Sequence, residues 1–148
     1  TGASSGIGLA ASVELAQKGF GIIGIGRDEA RCEQAAERIR ASAPGANVRF
    51  LCGDLMQQRE VERIAGELSE ILVRENDGKL DALVNNAGCV RSWYTTTEEG
   101  YEQQFALNHL AGFLLTHQLL PQLARKGRRS RWLQSRHQAQ QHHPYRKV

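Results

Sequence analysis

Thr1-Gly2-Ala3-Ser4-Ser5-Gly6-Ile7-Gly8 opens the chain, and its three glycines stand at the spacing G-x-x-x-G-x-G. That spacing lets a backbone turn sharply and approach a pyrophosphate with no Cβ in the way. The residues that follow place Ile7, Leu9, Val13 and Ala16 at helical spacing. The N-terminus of such a helix aims unpaired N–H groups and the positive end of its dipole at the phosphates. Ser4 and Ser5 can add hydroxyl donors. An ordinary Gly/Ser turn ahead of a helix has the same local look, so the context along the chain must decide. A loop of this kind normally follows a hydrophobic strand. Neither a strand nor an initiator methionine precedes Thr1, so the chain is expected to lack the first strand of its fold.

Beyond the loop, short apolar runs alternate with longer helical patterns, which argues for βαβ units and a parallel sheet. Phe20 to Gly26 reads as a buried strand. A helix starting at Asp28 or Glu29 follows, with Cys32, Ala35, Ala36 and Ile39 at helical spacing as far as Ser42, and Pro44-Gly45 ends it. Asn47 to Cys52 is the next strand. Residues 57–75 form an amphipathic helix with Val61, Ile64, Ala65, Leu68, Ile71 and Leu72 on one face. Asp77-Gly78 turns the chain into a strand from Leu80 to Asn85. A long helix is expected from near Glu98, capped by Thr95 or Thr96 with a glutamate three residues on. It should run to Leu120 or Ala124, with Pro121 bending or ending it.

The 148 residues carry a net charge of +3, and that figure hides an asymmetry. Residues 1–124 hold 11 Lys/Arg against 16 Asp/Glu, whereas residues 125–148 hold 8 Lys/Arg and no acid. The chain is long enough for one domain. Cys32, Cys52 and Cys89 have no metal-ligand or C-x-x-C spacing, so idle or buried thiols in a reducing, cytoplasmic setting are expected. No apolar run is long enough to span a membrane, and no metal site is expected.

Four motifs in order resemble the short-chain dehydrogenase/reductase family. Thr1 to Gly8 is similar to its T-G-x-x-x-G-I-G signature. Asp54 matches the acidic residue after its third strand, Asn85-Asn86-Ala87-Gly88 its N-N-A-G motif, and Asn108 its catalytic asparagine. The resemblance covers Thr1 to about Arg131, and residues 97–116 are most like the retinol-dehydrogenase and protochlorophyllide-reductase branches. It implies an α/β fold: a Rossmann-type, doubly wound parallel sheet whose first strand lies centrally, between the second and fourth. The chain is therefore expected to be incomplete, with the first strand and the C-terminal half missing. A gap would stand where that central strand belongs, leaving backbone groups unpaired. On this reading the chain as written is not a stable folded protein.

The resemblance also implies a nicotinamide dinucleotide held by Gly2, Ser4, Ser5, Gly6, Ile7 and Gly8 of the loop. Further contacts would come from Asp54 and Leu55, and from Asn86, Ala87 and Gly88. At the end of the second strand the sequence reads Gly26-Arg27 where an NAD enzyme usually has Asp or Glu. A guanidinium binds a 2′-phosphate that a carboxylate would repel, so Arg27 favours NADP(H) over NAD(H).

The family's catalytic set is Asn-Ser-Tyr-Lys. Asn108 fits the asparagine, and Ser135 lies close to where the serine belongs. The Y-x-x-x-K pair is absent, since Tyr145 is followed by Lys147. Residues two apart on a helix do not lie side by side. The chain therefore reads as a fragment of an NADP(H)-dependent oxidoreductase interconverting an alcohol and a carbonyl, inactive as written. The alternative is a non-catalytic dinucleotide-binding protein. The expected partners of the intact parent are a small-molecule substrate and a second copy of itself. The basic segment 132–148 reads as an out-of-frame peptide or a disordered tail, ahead of a nucleic-acid-binding arm, and no nucleic-acid partner is expected.

Overall fold

The computed structural model describes residues 1–124 together with the backbone of residues 133–134. Helix α1 spans Gly6–Gln17. Strand β1 (Ile22–Gly26) leads into helix α2 (Glu29–Ser42), which Asp28 caps by accepting from the Arg31 N–H at 2.9 Å. Strand β2 (Val48–Cys52) then precedes the amphipathic helix α3 (Gln58–Glu75). Strand β3 is only Val84–Asn85. A one-turn helix α4 (Gln103–Phe105), a π-helical turn (Ala106–Leu110) and helix α5 (Ala111–Ala124) follow in continuous succession. Strand β4 is Leu133–Gln134.

Strands β1 and β2 pair in parallel over five residues, from Ile22 opposite Val48 to Gly26 opposite Cys52. Strands β3 and β4 pair in parallel over two. The two pairs form separate sheets. Alternation along β1 sends Ile22 to one face and Ile23 and Ile25 to the other. Ile22, Val48, Leu9, Ala35, Ala36 and Ile39 build the core beneath α1 and α2. Ile25, Leu51, Leu83, the α3 face and Leu115, Leu119 and Leu123 of α5 build the core on the opposite side. Helices thus cover both faces of a parallel sheet, the doubly wound α/β arrangement.

Between β1 and β3 lies an apolar cavity of about 390 Å³ lined by Ile23, Ile25, Leu80, Leu83 and Val84 among others. It occupies the gap anticipated for a central strand. Only its upper end is bridged. The Thr1 ammonium donates to the Val84 carbonyl at 2.7 Å and the Ala3 N–H to the Ile25 carbonyl at 3.2 Å. With Gly2 at φ +64° between them, the two bonds go to opposite sides, so residues 1–3 form a turn that bridges β1 and β3.

Two expected elements differ. Regular pairing begins at Val84 rather than Leu80, because a strand is defined by its ladder and 80–83 border the cavity. The long helix starts at Gln103, not near Glu98. Its cap is Glu102, whose carboxylate accepts from the N–H groups of Gln104 (2.9 Å) and Phe105 (2.7 Å). Those bonds hold the Glu102 carboxyl below its ordinary pKa. Thr96 instead forms an antiparallel bridge with Glu102. Pro121 is accommodated inside α5, which continues to Ala124.

Candidate nucleotide-binding site

The glycine loop is shaped by contacts from both sheets. Gly2 takes φ +64°, a conformation that L side chains rarely adopt. A Cβ there would also meet the Asn86 amide nitrogen at 3.0 Å. At Gly8 a Cβ would run into the Gly2 carbonyl oxygen, so the first turn of α1 packs directly on the loop. The Ser12 hydroxyl, one turn on, donates to the Gly8 carbonyl at 2.8 Å.

Thr1 and Asn86 form the clasp. The N–H groups of Asn86 and Ala87 both donate to the Thr1 hydroxyl oxygen at 3.0 Å. The Asn86 side-chain amide donates in turn to the carbonyls of Thr1 (3.2 Å) and Gly2 (3.4 Å). The residue after β3 therefore holds the shape of a loop that leads into α1. Burial pushes the Thr1 amine down to about 6 from 8.0, since a desolvated ammonium is disfavoured. Thr1 as a latch was not singled out from sequence; it is visible only as the residue opening the glycine motif.

The open end of α1 suits an anion. Ser5 caps it in extended conformation with no side-chain bond, and the first turn has no acidic residue. Ser5 and Gly6 are exposed and Ser4 is half-buried, and Ile7 is 59% exposed. Those features leave N–H groups and hydroxyls facing outward where a phosphate would sit. A loop in which Gly2 and Gly8 are crowded against their surroundings, with open space at Gly6 and φ +52° there, and a helix start without acid both fit a dinucleotide.

Arg27 stands exposed just beyond β1, next to buried Gly26. Asp54 follows β2 and accepts from the Met56 N–H at 3.0 Å, which fixes the turn into α3. Leu55 is turned into the core, so only its backbone borders the site. Asn86, Ala87 and Gly88 follow β3. The structure thus sets the candidate cofactor residues at the carboxyl ends of β1, β2 and β3, around the N-terminus of α1.

Asn108 lies in the π-helical turn. Its side chain grips Cys89 on both sides, accepting from the Cys89 N–H and donating to the Cys89 carbonyl, each at 2.8 Å. Such turns are frequent at functional sites, and here the turn presents Asn108 to the loop after Gly88. Ser135 lies outside the described residues, one position beyond β4. The segment 135–148 lies outside them as well.

The profile of the short chain dehydrogenase family matches residues 1–131. The chain belongs to the short-chain dehydrogenase family. Human retinol dehydrogenase 13 is 40% identical over 123 residues, 83% of this chain and 36% of that protein. Mouse retinol dehydrogenase 14 is 41% identical over 130 residues, 81% of this chain and 37% of that protein. Among solved structures, a short-chain dehydrogenase from Sphingobium yanoikuyae in complex with NADPH superposes with a TM-score of 0.70. It is 30% identical, and the match covers 85% of this chain and 47% of that one. A metagenomic short-chain oxidoreductase in complex with NADP gives 0.72 at 27% identity, covering 90% and 58%. This short-chain dehydrogenase chain thus resembles the retinol dehydrogenases and spans little more than a third of the length of those two curated relatives. Among the described residues, no helix is long and apolar enough to cross a membrane and no cluster of three metal-ligating side chains occurs.

Proposed function

We propose that this chain is the nucleotide-binding portion of an NADP(H)-dependent oxidoreductase that interconverts an alcohol and a carbonyl. The observation carrying this reading is the glycine loop clasped by Thr1 and Asn86 over an acid-free helix N-terminus. Gly2, Ser4, Ser5, Gly6, Ile7 and Gly8 would hold the pyrophosphate. Asp54 and Leu55 would border the adenine, and Asn86, Ala87 and Gly88 the nicotinamide side. The exposed guanidinium of Arg27, with no carboxylate at Gly26, supports the phosphorylated dinucleotide. When bound, the cofactor supplies the hydride chemistry; the chain supplies orientation and charge.

Asn108 would serve the catalytic end by fixing the backbone at Cys89, and Ser135 is retained as the candidate serine. The exposed side chains of Val90, Trp93 and Tyr94, on the segment after Gly88, support a small or lipophilic substrate. A cytoplasmic homo-oligomer is the setting we infer. Because the sequence has no Y-x-x-x-K pair, turnover is not expected from these 148 residues. The second reading is a dinucleotide-binding protein without chemistry, which NADPH binding without turnover in the intact gene product would favour.

Titration with NADPH and NADH of a form with an apolar strand fused before Thr1, followed by nicotinamide fluorescence, tests the proposal. NADPH should bind more tightly, and Arg27→Ala should weaken NADPH by tenfold or more while barely changing NADH. Equal losses for the two cofactors would end the NADP(H) assignment. No affinity for either would end the functional reading.

A further inference from the structure

Two of the three thiols, read from sequence as idle, stand together at the adenosine end of the candidate site. Cys32 lies in the first turn of α2 and is 2% exposed. Cys52 ends β2, is half-buried, and pairs in register with Gly26. Residues paired across neighbouring strands turn their side chains to the same face. The Cys52 side chain therefore stands beside the bare Cα of Gly26. A Cβ on Gly26 would lie 2.6 Å from the Cys32 sulfur and 3.0 Å from the Ser4 hydroxyl. The missing side chain at Gly26 is what admits the Cys32 sulfur on the face that Cys52 shares. Burial first, and then the Cys52 neighbour, push the Cys32 thiol up to about 12. Cys89 is remote from this pair, held beside Asn108.

We propose that Cys32 and Cys52 are a modification site, a thiol pair that closes to a disulfide with small-molecule disulfides, and that closure and nucleotide binding oppose each other. The second half rests on the proposed function; the first does not. The half-buried Cys52 meets the oxidant first. Its thiolate attacks a sulfur of oxidised glutathione, releasing one glutathione thiolate and leaving a mixed disulfide on Cys52. Cys32 then gives up its proton and attacks the Cys52 sulfur, releasing the second glutathione. Two protein S–H bonds are lost, one S–S bond forms, and the oxidant is reduced to two thiols. Drawing two non-bonded sulfurs to about 2.05 Å must move the start of α2 or the end of β2. Those segments carry Arg27 and Asp54, on either side of the candidate adenosine position.

The chain should be incubated with oxidised glutathione, alkylated, digested and read by mass spectrometry, in buffer and in guanidinium chloride. In an unfolded chain, loop-closure statistics favour the 32–52 loop over the 52–89 loop only about two- to threefold. In buffer we expect 32–52 to exceed both other pairings more than tenfold, and Cys52→Ser to abolish it while leaving Cys32 unmodified. Saturating NADPH should slow closure several-fold. A form with an apolar strand fused before Thr1 serves as the folding control. If both forms give the guanidinium pattern, or only glutathione adducts, the thiol pair is refuted. A selective crosslink that NADPH does not slow, in a chain that binds NADPH, removes the opposition alone. A selective crosslink in a chain that binds no NADPH leaves the pair standing and strikes the functional reading.

Discussion

The two strands bordering the central cavity make an instructive pair. Strand β1 is regular over five residues, Ile22–Gly26, and strand β3 over two, Val84–Asn85. Both come from apolar runs, and both face the cavity on one side. They differ in what stands on the other. Strand β1 has a five-residue partner in β2 and cores on both faces. Strand β3 has two residues of β4. Strand geometry here follows from the neighbours that complete the ladder more than from the propensity of the run itself.

The largest expected effect comes from giving both strands their missing neighbour. Five β-branched residues fused before Thr1 should fill the cavity, extend β3 back towards Leu80 and turn a non-cooperative thermal profile into a cooperative transition. Hydrogen exchange should show new protection at residues 80–84. A cooperative transition of equal midpoint in the unextended chain would contradict this.

Next, Leu115 and Ile39 are both fully buried, in the core that reaches β3 and in the core behind β1 respectively. Alanine at either, in the extended form, should cost about 2–5 kcal/mol. Leu115→Ala should release amides 80–85 before 22–26, and Ile39→Ala the reverse. Identical exchange patterns would show that the halves are not separable.

A smaller effect sits at the bridge between the strands. The Thr1 amine has a folded value of about 6 against 8.0 unfolded. Between those values the unfolded chain binds more protons, so stability should rise from pH 6 to pH 8. Two pH units correspond to at most about 2–3 kcal/mol. Above pH 8 the amine is neutral in both states, and below pH 6 it is charged in both. Acetylation of Thr1, which keeps an N–H for Val84 and removes the charge, should flatten the pH dependence of amide protection factors at residues 84–87. An unchanged slope would place its origin elsewhere.

The smallest concerns α3, which serves both halves. The Glu99 carboxylate accepts from the N–H groups of Gln58 (2.6 Å) and Arg59 (3.1 Å) at its N-terminus. Glu99→Ala should cost about 0.5–2 kcal/mol. Arg59→Ala, which removes an exposed pair with Glu98 at 2.8 Å, should change stability by about 0.5 kcal/mol or less. A reversed ranking in chemical denaturation would mean that the ion pair, not the cap, anchors residues 98–99.

Much of this was legible in the residues. The bounds of α2, β2 and α3 follow from apolar spacing and from Pro44-Gly45. The start of the long helix was not legible. Thr95 and Glu98 have the spacing of a capping box, but Glu98 and Glu99 answer to α3, some forty positions earlier, and Glu102 takes the cap. A side chain's choice between a local and a distant partner leaves no periodic trace. The π-helical turn at Asn108 is likewise silent, since one extra residue in a turn barely alters an apolar pattern. The Cys32–Cys52 pairing needed the register of β1 on β2, which no spacing supplies.

The clasp between Asn86 and the first two residues has an implication for affinity measurements. The glycine loop is held in its shape by the segment following β3, docked against it. Any titration with a dinucleotide therefore reports intrinsic fit multiplied by the fraction of molecules in which the halves have met. Reinforcing that junction from far outside the pocket should tighten the measured dissociation constant without altering a single ligand contact.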